Sequence, residues 1–177
     1  LILCFSAKRA ADFAIILSSA TKTFNIAGTK NSFAIIQNPQ LRDAFKRVQL
    51  ANNQHEVPTL GMITTETAFT YGKPWLEELK SVIEENITYV VDYLRENTNI
   101  KVMKPEGTYL IWLDFSAYGI QQPQLNEKLQ KEARVVLNDG EHFGEEGKTF
   151  ARLNVAAPLE TIKEATMRIA DTFGKIN

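Results

Sequence analysis

An α/β fold is predicted by three features of the 177-residue sequence. Short apolar, partly β-branched runs alternate with helical patterns along the chain. One long amphipathic helix lies near its middle. A hydroxyl-rich turn that ends in glycine follows a strand pattern near the start. Strands and helices mixed in this way read as α/β or α+β layers. Hydrophobic residues make up 44% of the chain, enough to bury a real core.

The elements follow in order. Leu1-Ile2-Leu3-Cys4-Phe5 reads as a buried strand already under way, and without an initiating Met the sequence is expected to begin inside a larger protein. Residues 13–17 (FAIIL) and 33–36 (FAII) have the pattern of buried strands. Asn38-Pro39 starts a helix over 40–51 with Leu41, Phe45 and Val48 on one face. Residues 55–70 are expected to be helical, with Pro58 in the first turn. Gly72 and Pro74 then punctuate the chain. Over 74–97, Leu76, Leu79, Val82, Ile83, Ile87, Val90, Val91 and Leu94 recur at helical spacing. A helix this long can bridge two domains, which predicts a division into 1–73 and 74–177. Strands are expected at 101–103 and 109–115, either side of Glu106-Gly107, with a helix over 124–133 and strands at 135–137 and 150–155. The closing helix, 159–173, turns Ile162, Ala165, Ile169 and Phe173 inward.

Composition excludes several classes of function. With 20 Lys+Arg against 21 Asp+Glu and no basic cluster, a nucleic-acid or anionic-membrane partner is not expected. No apolar run approaches the roughly 20 residues that span a bilayer. Cys4 is the only cysteine, and His55 and His142 stand far apart, so neither an internal disulfide nor a zinc site is expected. A reducing, cytoplasmic setting is the default.

The stretch from Ser18 to Gly28, SSATKTFNIAG, carries the chemistry. A strand delivers hydroxyls and one amine into a turn. Hydroxyls and backbone N–H groups can ligate a phosphate, and an amine beside them can condense with an aldehyde on the same ligand. A lysine is a poor nucleophile while protonated, so Lys22 is expected to be partly buried behind its apolar strand. Gly28 is expected to permit a tight turn. Such turns are also common as solvated loops, and spacing alone leaves both readings open.

The wording narrows them. Ser-x-Thr-Lys-Thr-Phe-Asn-Ile-Ala-Gly resembles the lysine motif of fold-type I pyridoxal-phosphate (PLP) enzymes, the aspartate-aminotransferase superfamily. It is most similar to the branch of cystathionine β-lyases related to MalY and PatB. The resemblance implies that Lys22 holds the cofactor as an imine, that Ser19 contacts its phosphate, and that Thr21 supplies the second hydroxyl. Many relatives carry an arginine eight residues after the lysine as a further phosphate ligand. Lys30 stands there in this chain, keeping the charge but not the bidentate fork.

Arg152 alternates with apolar neighbours in Ala151-Arg152-Leu153-Asn154-Val155-Ala156-Ala157-Pro158. A strand arginine must face either solvent or a pocket, and a planar guanidinium is well suited to clamp a carboxylate. The segment resembles the one whose arginine binds the substrate α-carboxylate, which implies that role for Arg152. Residues 104–114 and 136–144 also resemble family segments and read as structural, with Gly107 near the pocket and His142 on the surface. The similarity runs from about Ile15 to the end of the chain. Residues 1–14 fit less well, because FSAKRAA replaces the branch's Lys-His-x-Pro-Phe-Ala-Ser type stretch.

The resemblance implies the end of a PLP-transferase large domain followed by an α+β small domain. It also implies carbon–sulfur β-elimination from cystathionine or a cysteine conjugate, by an enzyme that is a homodimer when complete. The family's other cofactor ligands lie upstream of the lysine. The chain alone is therefore expected to be inactive and to bind PLP weakly or not at all. An aminotransferase of the same fold and a catalytically silent binding fragment are the alternatives.

Overall fold

The computed structural model describes residues 10–54 and 56–176, so Cys4, the strand expected at 1–5 and His55 lie outside the described residues. The chain divides into two compact units, the first ending at Glu77 and the second beginning at Glu78.

In the first unit, helical turn α1 (Ala10–Phe13) precedes β1 (Ile15–Ser18), which pairs antiparallel with β2 (Phe33–Ile36). The first expected strand is thus displaced. Phe13 belongs to α1, and the register Ile15↔Ile36 to Ser18↔Phe33 uses all four residues of β2. Neither strand is buried as expected. Leu17 is 71% exposed and only Ile36 is buried, because two strands cannot cover both of their own faces.

Helix α2 (Pro39–Ala51) starts as expected. Asn38 caps it by accepting from the N–H groups of Gln40 (2.9 Å) and Leu41 (3.4 Å), and Pro39 occupies the first turn. Helix α3 (Thr59–Tyr71) begins later than expected. Pro58 is extended, at ψ 132°, and serves as its N-cap; the first helical bond runs from Met62 N–H to the Pro58 carbonyl. No helix among the described residues is long and apolar enough to cross a membrane.

The boundary between the units falls within α4 (Lys73–Asn97). Its later turns bury Ile87, Val90, Val91 and Leu94, whereas Val82 is exposed. In the second unit β3 (Lys101–Met103), β4 (Leu110–Asp114), β5 (Asn138–Asp139) and β6 (Phe150–Asn154) form an antiparallel sheet of order β3-β4-β6-β5. Between them lies α5 (Gln124–Lys131), and α6 (Leu159–Thr172) follows β6. Strand alternation turns Val102, Ile111, Leu113, Ala151 and Leu153 into a core shared with α4, α5 and α6. Ile162, Ile169 and Phe173 are buried there and Ala165 packs against them, as expected.

Two local expectations are corrected in this unit. Helix α5 stops at Lys131, and Arg134 turns left-handed (φ 54°) to send the chain back. The strand expected at 135–137 is displaced to Asn138–Asp139. Residues 134–138 instead line a groove of about 380 Å³ shared with β6 and α6. After β3 the left-handed position is taken by Thr108 (φ 71°), not by Gly107.

Candidate active site

The lysine turn is built by hydrogen bonds that curl the chain just after β1. Phe24 N–H donates to the Ala20 carbonyl (3.0 Å) and Ile26 N–H to the Thr21 carbonyl (2.9 Å). Ala20 is fully buried and anchors the inside of the curl, leaving Lys22 and Thr23 on the exposed outside. Phe24 fixes the far end, edge-on to Phe69 (5.8 Å between centroids) and stacked on Trp75 (6.1 Å). A Cβ at Gly72 would stand 2.5 Å from Phe24 Cε1, so that glycine admits the ring. The half-buried hydroxyls of Ser19 and Thr21 meet at 2.8 Å. Two hydroxyls bring two O–H donors and their mutual bond uses one, so the pair keeps a donor for an anionic oxygen.

Two expectations about this turn need correction. Lys22 is exposed rather than partly buried, because nothing among the described residues covers the outside of the curl. Gly28 is not the turning point. It lies in a 3₁₀ turn, Ala27–Thr29, whose conformation any residue adopts, and the left-handed positions fall on Asn25 (φ 53°) and Lys30 (φ 49°). Lys30 is exposed at the end of that turn, and no hydrogen bond joins it to Ser19, Thr21 or Lys22. Asn31 ties the next residues to α3, donating to the Gly61 carbonyl (2.9 Å) and to Thr65 Oγ1 (2.7 Å).

Arg152 belongs to the second unit, on the sheet face opposite the core. The register sets Met103, Trp112, Arg152 and Asn138 in one row across the four strands. Arg152 Nη2 donates to Asn138 Oδ1 at 3.0 Å, and the guanidinium carbon lies 4.4 Å from the centre of the Phe143 ring. Nε is buried without a hydrogen-bond partner. The guanidinium is thus held by a ring and one amide oxygen while buried donor capacity stays open. Phe143 reaches it because a short turn, Gly140–Phe143, is pressed against β6. A Cβ at Gly140 would stand 2.4 Å from the Gly147 carbonyl oxygen and 2.5 Å from that of Phe150.

Asn138 and Phe143 were not legible as partners of Arg152. Their segment carries glycines and reads as a loop; only the antiparallel pairing of β5 with β6 brings them to the arginine. His142 is exposed in the same turn. No group of three or more His, Cys, Asp or Glu able to hold a metal ion occurs among the described residues.

No protein-family model matches the chain. It is 36% identical over 160 residues to cystathionine β-lyase PatB of Bacillus subtilis, covering 90% of this chain and 41% of PatB. To protein MalY of Escherichia coli it is 30% identical over 151 residues, covering 84% of this chain and 39% of MalY. The crystal structure of cystalysin from Treponema denticola, which contains PLP, superposes with a TM-score of 0.90 at 33% identity, covering 94% of this chain and 43% of cystalysin.

The chain matches part of the fold-type I PLP-dependent enzymes in sequence and in fold.

Its relatives in that family include aminotransferases as well as β-lyases; transaminase BacF of Bacillus subtilis is 28% identical over 158 residues, covering 86% of this chain and 38% of BacF. The chain spans about two fifths of the length of the relatives it matches. The α/β fold expected from the sequence is the fold of these PLP enzymes.

Proposed function

We propose that this chain contributes the cofactor-binding lysine and the carboxylate-binding arginine of a PLP-dependent carbon–sulfur β-lyase, acting on cystathionine or a related cysteine conjugate. The observation that carries the reading is the Ser19–Thr21 hydroxyl pair, 2.8 Å apart in the turn that presents Lys22. The residues fit the group. One spare O–H can donate to a phosphate oxygen, and the exposed amine can reach an aldehyde carbon. Lys30 would add a positive charge for the phosphate.

When bound, PLP supplies the aldehyde that condenses with amines and the conjugated ring that accepts charge from Cα. Arg152 binds the α-carboxylate through guanidinium donors not given to Asn138, and so orients the substrate's Cα–H bond. Lys22 Nζ, in its unprotonated form, would take the Cα proton as general base. The Cβ–S bond then breaks, releasing a thiol, and hydrolysis leaves pyruvate and ammonia. The same reading makes the complete protein a cytoplasmic homodimer and the isolated chain inactive.

The full-length protein carrying this chain tests the assignment. Borohydride reduction with PLP should fix a pyridoxyl group on the Lys22 peptide, detected by mass spectrometry, and Lys22→Ala should abolish both the adduct and thiol release. A reducible adduct on another residue, with elimination intact in Lys22→Ala, would overturn the reading. The 28% identity to a transaminase favours aminotransfer as the second reading. Amine transfer dependent on a keto acid, without thiol release, would select it.

A further inference from the structure

Asn86 lies on the face of α4 that also buries Ile87, Val90, Val91 and Leu94, and it is itself fully buried. Its Nδ2 donates twice, to the Val155 carbonyl at 2.8 Å and the Ala157 carbonyl at 2.9 Å. Its Oδ1 is buried with no hydrogen-bond partner. A buried acceptor without a donor is a cost that an apolar side chain would not carry. What this side chain contributes is therefore two donors, aimed at carbonyls two residues apart.

Those carbonyls belong to the segment just beyond β6, before Pro158 leads into α6. Val155 N–H donates to the Tyr109 carbonyl at 2.9 Å, so the segment is tied to β4's approach as well as to α4. Arg152 lies three residues upstream on β6, a strand paired with β4 along its whole length. A displaced 155–157 segment would pull on a continuous strand, moving the guanidinium against Asn138 and Phe143.

We propose that Asn86 is a positioning residue for Arg152: by fixing where β6 ends it sets where the guanidinium stands. The inference rests on the reading of Arg152 as the carboxylate site and deepens it. It makes α4 part of the substrate-binding apparatus through backbone carbonyls alone, without contact with the substrate.

The test compares Asn86→Leu, Asn86→Ser and Arg152→Lys in the full-length protein. KM and kcat for cystathionine are measured with the inhibition constant of propionate, a carboxylate with neither amine nor leaving group. Asn86→Leu should raise KM and the propionate constant by about tenfold while kcat changes less than about threefold, since misplacement of a clamp weakens what it holds. Asn86→Ser keeps one donor and should fall between Leu and wild type; if the Leu variant does not fold, the Ser variant decides alone. Lower thermal stability of the Asn86 variants with KM and the propionate constant unchanged would overturn the proposal, leaving Asn86 a purely structural residue. Arg152→Lys without effect on propionate would instead overturn the carboxylate-site reading, and the inference with it. A rise in the propionate constant for Arg152→Lys but not for either Asn86 variant would remove the inference alone.

Discussion

At the scale of single residues, Arg152 shows how a strand arginine is held in one orientation by its neighbours. Its partners occupy the stacking face and one donor, so the side chain is oriented before any carboxylate arrives. A hydrogen bond to a charged group is worth about 1.5–3 kcal/mol, so Arg152→Ala should lower kcat/KM of the full-length protein by roughly ten- to 150-fold. A loss confined to kcat would remove the carboxylate role. Phe143→Ala deletes the stacking ring, a contact worth about 0.5–2 kcal/mol. It should raise KM severalfold, and an unchanged KM would show that the ring contributes packing only. The sequence singled out Arg152 through the resemblance of its segment to a family motif, yet it could not supply Asn138 or Phe143, which lie 14 and 9 residues upstream and reach it through the fold of the β5–β6 region. Lys22 was equally legible, but its exposure depends on what covers the curl, which no local pattern encodes.

Elements show the same division. Gly140 is a point of backbone-to-backbone contact, which its place in a glycine-bearing segment does not reveal. Gly140→Ala should destabilise the second unit by about 1–3 kcal/mol, measured by urea unfolding, because the added methyl meets backbone rather than a flexible side chain. Unchanged stability would mean that the turn relaxes away from β6 at no cost. On α5, the Lys131 ammonium hydrogen-bonds the Glu127 carboxylate and, secondarily, attracts it, which lowers the Glu127 pKa. A pKa lower in the folded than in the unfolded state means that the pair favours folding above the ordinary carboxylate range. That contribution is lost as pH falls through the lowered value. The pair is fully exposed, so salt screens it. Carbon-detected NMR titration should find the Glu127 carboxyl shifting upward in Lys131→Ala; no shift would show that the pair does not persist in solution.

The whole molecule is uneven in how it is held together. All the residues of the large hydrophobic cluster lie in the second unit, whereas the buried apolar residues described in the first are Ala10, Ala20 and Ile36. Amide protection follows buried packing. Hydrogen exchange on this chain should therefore leave β4, β6 and residues 87–94 the most protected, with β1 and β2 exchanging much faster. Equal protection of β1 and β4 would contradict this. Phe115 is fully buried against Phe173 (4.8 Å between centroids), so Phe115→Ala should cost the second unit about 3–5 kcal/mol.

The sequence by itself determined the α/β character of this protein, the long helix and the likeness to PLP enzymes, and it marked Lys22 and Arg152 as candidate site residues, because these are written in local periodicity or in contiguous motifs. Only the tertiary structure decided that Asn25 and Lys30 rather than Gly28 turn the lysine loop, that β5 lies at 138–139, and that Asn138 and Phe143 hold Arg152. The reason is physical. Periodicity reports which face of an element is apolar, whereas register, close backbone approach and burial belong to pairs of segments, and a chain read in one direction does not specify which segments will meet.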